Sequence, residues 1–408
     1  MEKISFIHAA DLHLDTPFQG LAHVPDHILE QIQKSTFHAL DRLVEVAIRK
    51  EVDFLLLVGD LFDHEKQSLK AQVQLRNAFT KLKEHEITVY ISYGNHDFIR
   101  GNPHPITYPD NVVIFPDETV RHAIYKKDNK PAATIYGFSY ENRAIVDNKA
   151  TEFMVEETST PFHIAMLHGS LLTNTDHDMY APFQIKDLIR KPFDYWALGH
   201  IHKRQLLKKE PPIIYPGNIQ GRNRKETGEK GCYHVQLTKN GATLSFIPLQ
   251  AIQFEKMQIE VEGMSTIHKL GEKIMTEIDK QFTGFLPYLI DLTMIGNQVE
   301  LIEWKTDNRL TEMMELINEQ NSERTDWRYI FNWKIEGNQA IRLSTEGEQF
   351  IDQLEHVTRN IHLEEYIEPL YLHREARKYL SSLSKEQQQE LKKEAEELLY
   401  FQLKHRQF

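Results

Sequence analysis

A single cysteine, Cys232, stands in this chain of 408 residues. That excludes intrachain disulfides and thiolate metal clusters and fits a reducing compartment. Uninterrupted apolar runs of about 18 residues, the length a membrane-spanning helix needs, are missing. Glu2 and Lys3 lead straight into a strand-like segment without the apolar core and cleavage site of a secretion signal, so a cytoplasmic protein is expected. Positive charge is scarce: 48 Lys and Arg face 60 Asp and Glu, a formal net charge of −12. That balance argues against a surface coated with nucleic-acid affinity but leaves room for a local basic rim. Internal repeats and low-complexity tracts are also absent. What is present is 40% hydrophobic and 26% charged. That is the composition of a folded chain too long for one ordinary core, so two or three domains are expected.

Aspartate, asparagine and histidine recur at five points, each just after a short apolar run. The segments read HAADLHLD at Asp11 and His13, LLLVGDLFD at Asp60, and YISYGNHDF at Asn95, His96 and Asp97. Two more read IAMLHGS at His168 and YWALGHIHK at His200 and His202. The preceding runs (4–7, 54–58, 89–92, 164–167 and 195–198) are rich in β-branched and aromatic residues, so each predicts a buried strand. A hard or imidazole ligand at each strand end gathers distant residues along one sheet edge, where open α/β sheets bind ligands. Asp11 and His13 are two apart, as are His200 and His202, and alternate residues of an extended segment share a face.

Carboxylate, carboxamide and imidazole without thiolate suit Mn, Fe, Zn or Mg and disfavour structural zinc. Seven such groups exceed the needs of one ion that must also admit substrate. Two ions sharing a bridging carboxylate is the economical solution, and a pair about 3.5–4 Å apart suits in-line displacement at phosphorus. A lone DxH or HxH means little among 21 histidines; five sites in series, each after a strand, mean much more. His38, His85, His234, His268 and His356 lack that setting and read as ordinary polar residues.

Helical periodicity covers 28–50 and 68–82, so strands and helices alternate as in layered α/β folds. The stretch IIYPGN predicts a strand, then a turn. From about 253 the texture becomes β-α-β-α-β: a strand near Met257–Glu262, a helix over 266–282, a strand over 288–294, a helix over 310–319 and a strand over 330–335. Beyond 346 the chain reads as helix. Phe350, Leu354, Val357 and Ile361 form a packing seam. Ser384 with Gln387 suggests a capping box before a stripe of Leu391, Ala395 and Leu398. The expected organisation is therefore 1–252, 253–345 and 346–408.

The series DLHLD, GDLFD, GNHD, HG and GHIH resembles the calcineurin-like metallophosphoesterases. Its flanks resemble the SbcD-type DNA repair exonucleases, nearest their bacterial YhaO subgroup. The resemblance implies a four-layer α/β/β/α core with a small α/β capping domain and a helical C-terminal segment. It implies one metal held by Asp11, His13, Asp60 and His202. A second would be held by Asp60, Asn95, His168 and His200, with Asp60 bridging; Mn²⁺ leads among candidate ions, ahead of Fe²⁺, Mg²⁺ and Zn²⁺. His96 would protonate or electrostatically stabilise the leaving oxygen, and Asp97 would orient His96 or brace its loop. Archaeal and eukaryotic relatives carry histidine three residues after the bridging aspartate, where this chain has Asp63 followed by His64. Lys203, Arg204, Lys208, Lys209, Arg222, Arg224 and Lys225 form a candidate DNA rim, with Lys203, Arg204, Arg222 and Arg224 foremost.

The expected function is two-metal hydrolysis of DNA phosphodiesters, 3′ exonucleolytic with some single-strand endonuclease activity. An SMC-like coiled-coil ATPase would be held by the C-terminal helices, unless they dock on their own protein, and a homodimer would form through Leu75, Phe79 and Leu82, unless that face packs on its own sheet. The rivals are a small-molecule phosphodiesterase or phosphatase and a non-catalytic nucleic-acid-binding scaffold.

Overall fold

A computed structural model describes residues 3–336 apart from 19–20, 22–23, 102–105, 158, 173–179 and 297–298. Beyond them it describes 353, 356–358, 360–373 and a few positions between 383 and 395. Strands β1 (Lys3–Ala9), β2 (Phe54–Val58), β3 (Thr88–Ser92) and β4 (Val112–Ile114) run parallel in one sheet. The hairpin of β11 (Gly231–Thr238) and β12 (Gly241–Pro248) extends it antiparallel beyond β1. The second six-stranded sheet follows the order β5 (Arg121–Lys127), β6 (Lys130–Gly137), β7 (His163–His168), β8 (Tyr195–Gly199), β10 (Pro212–Tyr215), β9 (Gln205–Lys209). Its inner strands β6, β7, β8 and β10 are parallel.

Alternation along β1 and β2 explains the layering. Ile7, Leu55 and Leu57 point to one face, packing with Leu40 and Leu43 of helix α1 (Asp26–Arg49) and Leu75 and Phe79 of α2 (Leu69–Glu84). Phe6, Phe54, Leu56 and Val58 point to the other, against Ile135, Ile164, Met166 and Tyr195 of the second sheet. Both faces are covered, so FLLLV is apolar throughout rather than alternating. The outer face of the second sheet buries Leu167, Trp196 and Tyr215 under loops and the short helix α3 (Ile185–Ile189). Layers of helix, sheet, sheet, then short helix and loop result, the mixed α/β architecture expected of a metallophosphoesterase. Ser68 caps α2, its side chain accepting from the Ala71 N–H at 3.1 Å.

Leu75, Phe79 and Leu82 are fully buried in this core. The apolar periodicity of α2 is thus answered by its own sheet, and the face read as a dimer surface is not available to a second copy.

The later segments form a three-stranded sheet of β13 (Gln253–Glu260), β14 (Tyr288–Ile295) and β15 (Arg328–Glu336) with α4 (Ile267–Gln281) and α6 (Arg309–Ser322). This is the order read from the sequence. Helix α5 (Val299–Thr306) was not foreseen, since it has no sustained apolar stripe. The residues sort into two compact units: 1–259 with 270–294 and 313–334, and 260–269 with 295–312 and 335–408. Within the first, Phe254, Leu289 and Trp327 pack with Phe18, Ile28 and Ile32, so the small sheet shares a cluster with α1. The second contains helix α7 (Leu363–Leu372), which carries Pro369. Of the C-terminal seam and stripe, Phe350, Leu354, Ser384 and Leu398 lie outside the described residues; Val357 is exposed. Among the described residues no helix is long and apolar enough to cross a membrane.

Candidate metal centre

Five parallel strands end at one place, and the loops that leave them carry the polar residues. The strand ends belong to two facing sheets, β1, β2 and β3 in one and β7 and β8 in the other. The expected single sheet edge is therefore a seam between two edges. Strand-end counting could not reveal this, because it does not say which strands pair.

Past Ala9 the backbone departs from extended geometry: φ is 53° at Asp11, 43° at His13, 51° at Asp60 and 99° at His200. Left-handed conformations at non-glycine residues cost of order 1–3 kcal/mol each and persist where surrounding contacts enforce them. Here the Asp11 N–H donates to the Gly59 carbonyl at 3.1 Å and the His13 N–H to the Asp60 carbonyl at 3.0 Å. The Asp11 carboxylate accepts the His200 N–H at 3.0 and 3.1 Å, tying the first loop to the last. Two glycines are required by proximity. A Cβ at Gly59 would lie 2.1 Å from His168 Nδ1, and one at Gly199 would lie 1.9 Å from the Val58 carbonyl oxygen.

The candidate ligands fall into two groups, Asp11 with His13 and His202, and Asp60 with His168 and His200; within each, the ligand atoms lie within 4.8 Å of one another. The HxH pair is therefore split between the groups. Asp60 lies between them, its Oδ2 3.4 Å from His168 Nε2 and 3.9 Å from His13 Nε2. Asn95 Oδ1 is 3.1 Å from both His168 Nε2 and His200 Nδ1.

Donor chemistry tests whether this set fits cations. His168 Nδ1–H donates to the Val58 carbonyl at 3.0 Å, which turns Nε2 toward the oxygens of Asn95 and Asp60. His13 Nε2 and His202 Nε2 face each other at 3.0 Å. Acceptors converging on acceptors need a proton or a cation between them, and nearly all of these groups are buried, where an uncompensated set would be costly. The residues fit a pair of divalent ions.

The electrostatics agree. Burial pushes the Asp11 carboxyl up to about 6, against the pull of His202 and His168. Burial also opposes charge on Asp60, but His168, by its charge and its hydrogen bond, holds that carboxyl well below the ordinary range. Burial would lower His168, yet Asp60 prevails and raises it to about 9. A proton there occupies the place a cation would take. Burial and then Arg222 keep His13 well below the ordinary imidazole range, so it is neutral, as a metal-binding histidine must be.

His96 adjoins both groups. Its N–H donates to Asp60 Oδ1 at 3.0 Å, its ring stands edge-on to His13 at 4.9 Å, and its Nδ1–H donates to the Asp63 carbonyl at 2.6 Å. Asp97 turns away from that ring: its carboxylate accepts the Gly94 N–H at 2.7 Å and the Leu61 N–H at 2.5 Å. Of its two expected roles, the contacts are those of a brace between the GNHD and GDLFD loops. Burial, reinforced by Asp60, pushes its carboxyl up to about 7.

The basic residues separate. Lys203 and Arg204 are exposed, with Arg204 lying over the Phe246 ring at 3.7 Å. Arg222 turns inward, pairing with Asp63 at 2.6 Å, and Arg224 is half-buried. Glu226 escaped sequence reading altogether. It receives a hydrogen bond from His202 Nδ1 at 2.8 Å, although nothing in its local pattern distinguishes it from other loop carboxylates.

A family model described as "Calcineurin-like phosphoesterase" matches residues 4–204. The chain is 38% identical to "Uncharacterized metallophosphoesterase YhaO" of Bacillus subtilis, over 99% of each chain. It belongs to the calcineurin-like phosphoesterases. It is thus a hydrolase of a family that uses a dinuclear metal site, and its two ligand groups are the candidate seats. More distant relatives carry the name "DNA double-strand break repair protein Mre11". That of Methanocaldococcus jannaschii is 26% identical over 72% of this chain and 82% of its own, and that of Thermoplasma acidophilum is 24% identical over 60% and 67%.

Proposed function

We propose that this phosphoesterase is a two-metal DNA phosphodiesterase, a repair exonuclease directed at 3′ ends with some single-strand endonuclease activity. The observation that carries the reading is the pairing of two ligand groups around Asp60 with His96 held beside them. The relatives named for double-strand break repair point the substrate toward DNA.

Asp11, His13, Asp60 and His202 would hold one ion, and Asp60, Asn95, His168 and His200 the other, with Mn²⁺ the leading candidate. When bound, such a pair supplies the Lewis-acid charge that polarises a phosphodiester toward attack by water. His96 has its Nδ1–H committed to the Asp63 carbonyl, which leaves Nε2 as the atom that carries the transferable proton. Protonated there, it donates to the departing deoxyribose oxygen, which otherwise leaves as an alkoxide. Asp97 keeps the two loops in register. Lys203, Arg204 and Arg224 would meet phosphates at the rim, whereas Arg222 acts inward. Residues 1–252 would form the nuclease domain, 253–345 the capping domain, and 346–408 the segment that holds an SMC-like ATPase. A cytoplasmic location and a homodimer accompany this reading, the homodimer on resemblance alone.

The deciding experiment incubates purified protein and Mn²⁺ with end-labelled duplexes and with bis-p-nitrophenyl phosphate. Stepwise shortening from 3′ ends supports the nuclease. Cleavage of the small diester alone assigns a small-molecule phosphodiesterase, and inertness toward both assigns a scaffold.

A further inference from the structure

Behind one ligand group stands a chain of ion pairs. His202 Nδ1–H donates to Glu226 Oε1 at 2.8 Å. Glu226 is fixed in turn: its Oε2 accepts from Asn218 Nδ2 at 2.6 Å and from the Arg222 N–H at 2.9 Å. The Arg222 guanidinium packs 3.3 Å from His202 Nδ1 and 3.7 Å from Glu226 Oε1, then reaches Asp63 Oδ1 at 2.6 Å. Asp63 is buried, takes a hydrogen bond from Thr16 Oγ1 at 3.1 Å, and lies 3.5 Å from His13 Nδ1. The chain therefore begins at one imidazole of the Asp11–His13–His202 group and ends at the other. His168, in the second group, is oriented by a neutral backbone carbonyl.

We propose that Glu226, Arg222 and Asp63 are positioning residues for the ion of the Asp11–His13–His202 group and not for the ion of the Asp60–His168–His200 group. The inference rests on the two-metal reading above. A carboxylate accepting the Nδ1–H of His202 fixes the tautomer with its lone pair on Nε2, on the side facing His13, and raises the basicity of that nitrogen. Arg222 between two carboxylates leaves the trio with a net charge of −1, so its cation does not repel the ion that the histidines would hold. Its rigid fork, unlike a lysine ammonium, can span two acceptors at fixed spacing. The same aspartate joins this support to the reaction, because its backbone carbonyl orients His96. The position where archaeal and eukaryotic relatives carry a histidine is thus a link in the support for a ligand group. The support on this seat runs through charged side chains that substitution can remove.

The test uses the full chain, stripped of metal and titrated with Mn²⁺ by calorimetry, with electron paramagnetic resonance reading whether bound ions are coupled in pairs. The variants are E226Q, which preserves shape, and R222K, which keeps charge and loses the fork; the melting temperature of the metal-free forms checks folding. We expect wild type to bind two ions. Each variant should retain one at unchanged affinity while the other weakens roughly 10- to 100-fold, the coupled signal giving way to that of isolated Mn²⁺. Equal weakening of both ions, or none in either variant, overturns the inference. Fewer than two ions on wild type would instead defeat the two-metal reading itself.

Discussion

The bodies of β1, β2, β7 and β8 and the ligand-bearing turns at their ends are both largely buried, yet they are built on opposite principles. Phe54, Leu56, Ile164 and Ala197 have essentially no exposed surface, and neither do Asp11, His13, Asp60 and His168 a few residues further on. In the strand bodies burial is itself the stabilising term, and regular geometry follows from packing on both faces. At the ends burial opposes the charges, and the backbone is held in left-handed conformations. Those ends are tolerable only because each polar group is answered by another, or by a cation. The difference teaches that the apolar layers supply the rigidity against which a strained and highly polar seam can be held.

The largest effect should come from removing the group both halves of the seam share. Asp60→Asn is expected to reduce bis-p-nitrophenyl phosphate hydrolysis to background and to lower Mn²⁺ content from two ions to one or none, read by elemental analysis of desalted protein. Retention of both ions with full turnover would remove Asp60 from its bridging place. His96→Gln should leave metal content intact and depress kcat roughly 10²- to 10⁴-fold, the range of general acid catalysis. Loss of metal in that variant would make His96 a ligand.

Two further changes address the strand bodies. Phe54→Ala deletes a ring stacked on Phe6 at 5.1 Å and should cost about 3–5 kcal/mol in chemical denaturation, because the cavity lies between two sheets that cannot collapse onto it. A cost under about 1 kcal/mol would mean that the layers are not closely packed there. His8 is a polar residue within a strand body. Its Nε2–H donates to the Leu198 carbonyl at 3.1 Å, and its Nδ1 accepts from the Tyr195 hydroxyl at 3.0 Å. Burial lowers it from 6.5 to about 3. The folded state then refuses a proton that the unfolded state accepts, so this contribution is complete above pH 6.5 and is lost on acidification between 6.5 and about 3. The loss should approach about 1.4 kcal/mol per pH unit. His8→Phe should flatten the fall in unfolding free energy between pH 7.5 and 5.5; an unchanged slope would mean that other groups control it.

Much of this architecture could be read locally. Apolar runs closed by Asp, Asn or His named the five strands and seven candidate ligands, because strand period and metal-donor type are properties of neighbouring residues. Periodicity likewise placed α1, α2, α4 and α6 to within a few residues. It failed at Leu75, Phe79 and Leu82, since an apolar stripe reads the same whether a sheet or another molecule covers it. It missed α5 for want of a stripe, and it set Arg222 on an outer rim because a basic loop residue does not announce which way it turns.

The sequence by itself determined the donor set, the strand-loop alternation that presents it, and the absence of thiolate, all of which depend on residue type and short spacing. Tertiary structure decided that two sheets, not one, form the seam, and that Glu226, Arg222 and Asp63 stand behind one ligand group. Such outcomes depend on contacts that include residues far apart in the chain, such as Asp63 and Arg222 at 2.6 Å. No local pattern encodes such a distance, because it is set by how whole layers pack.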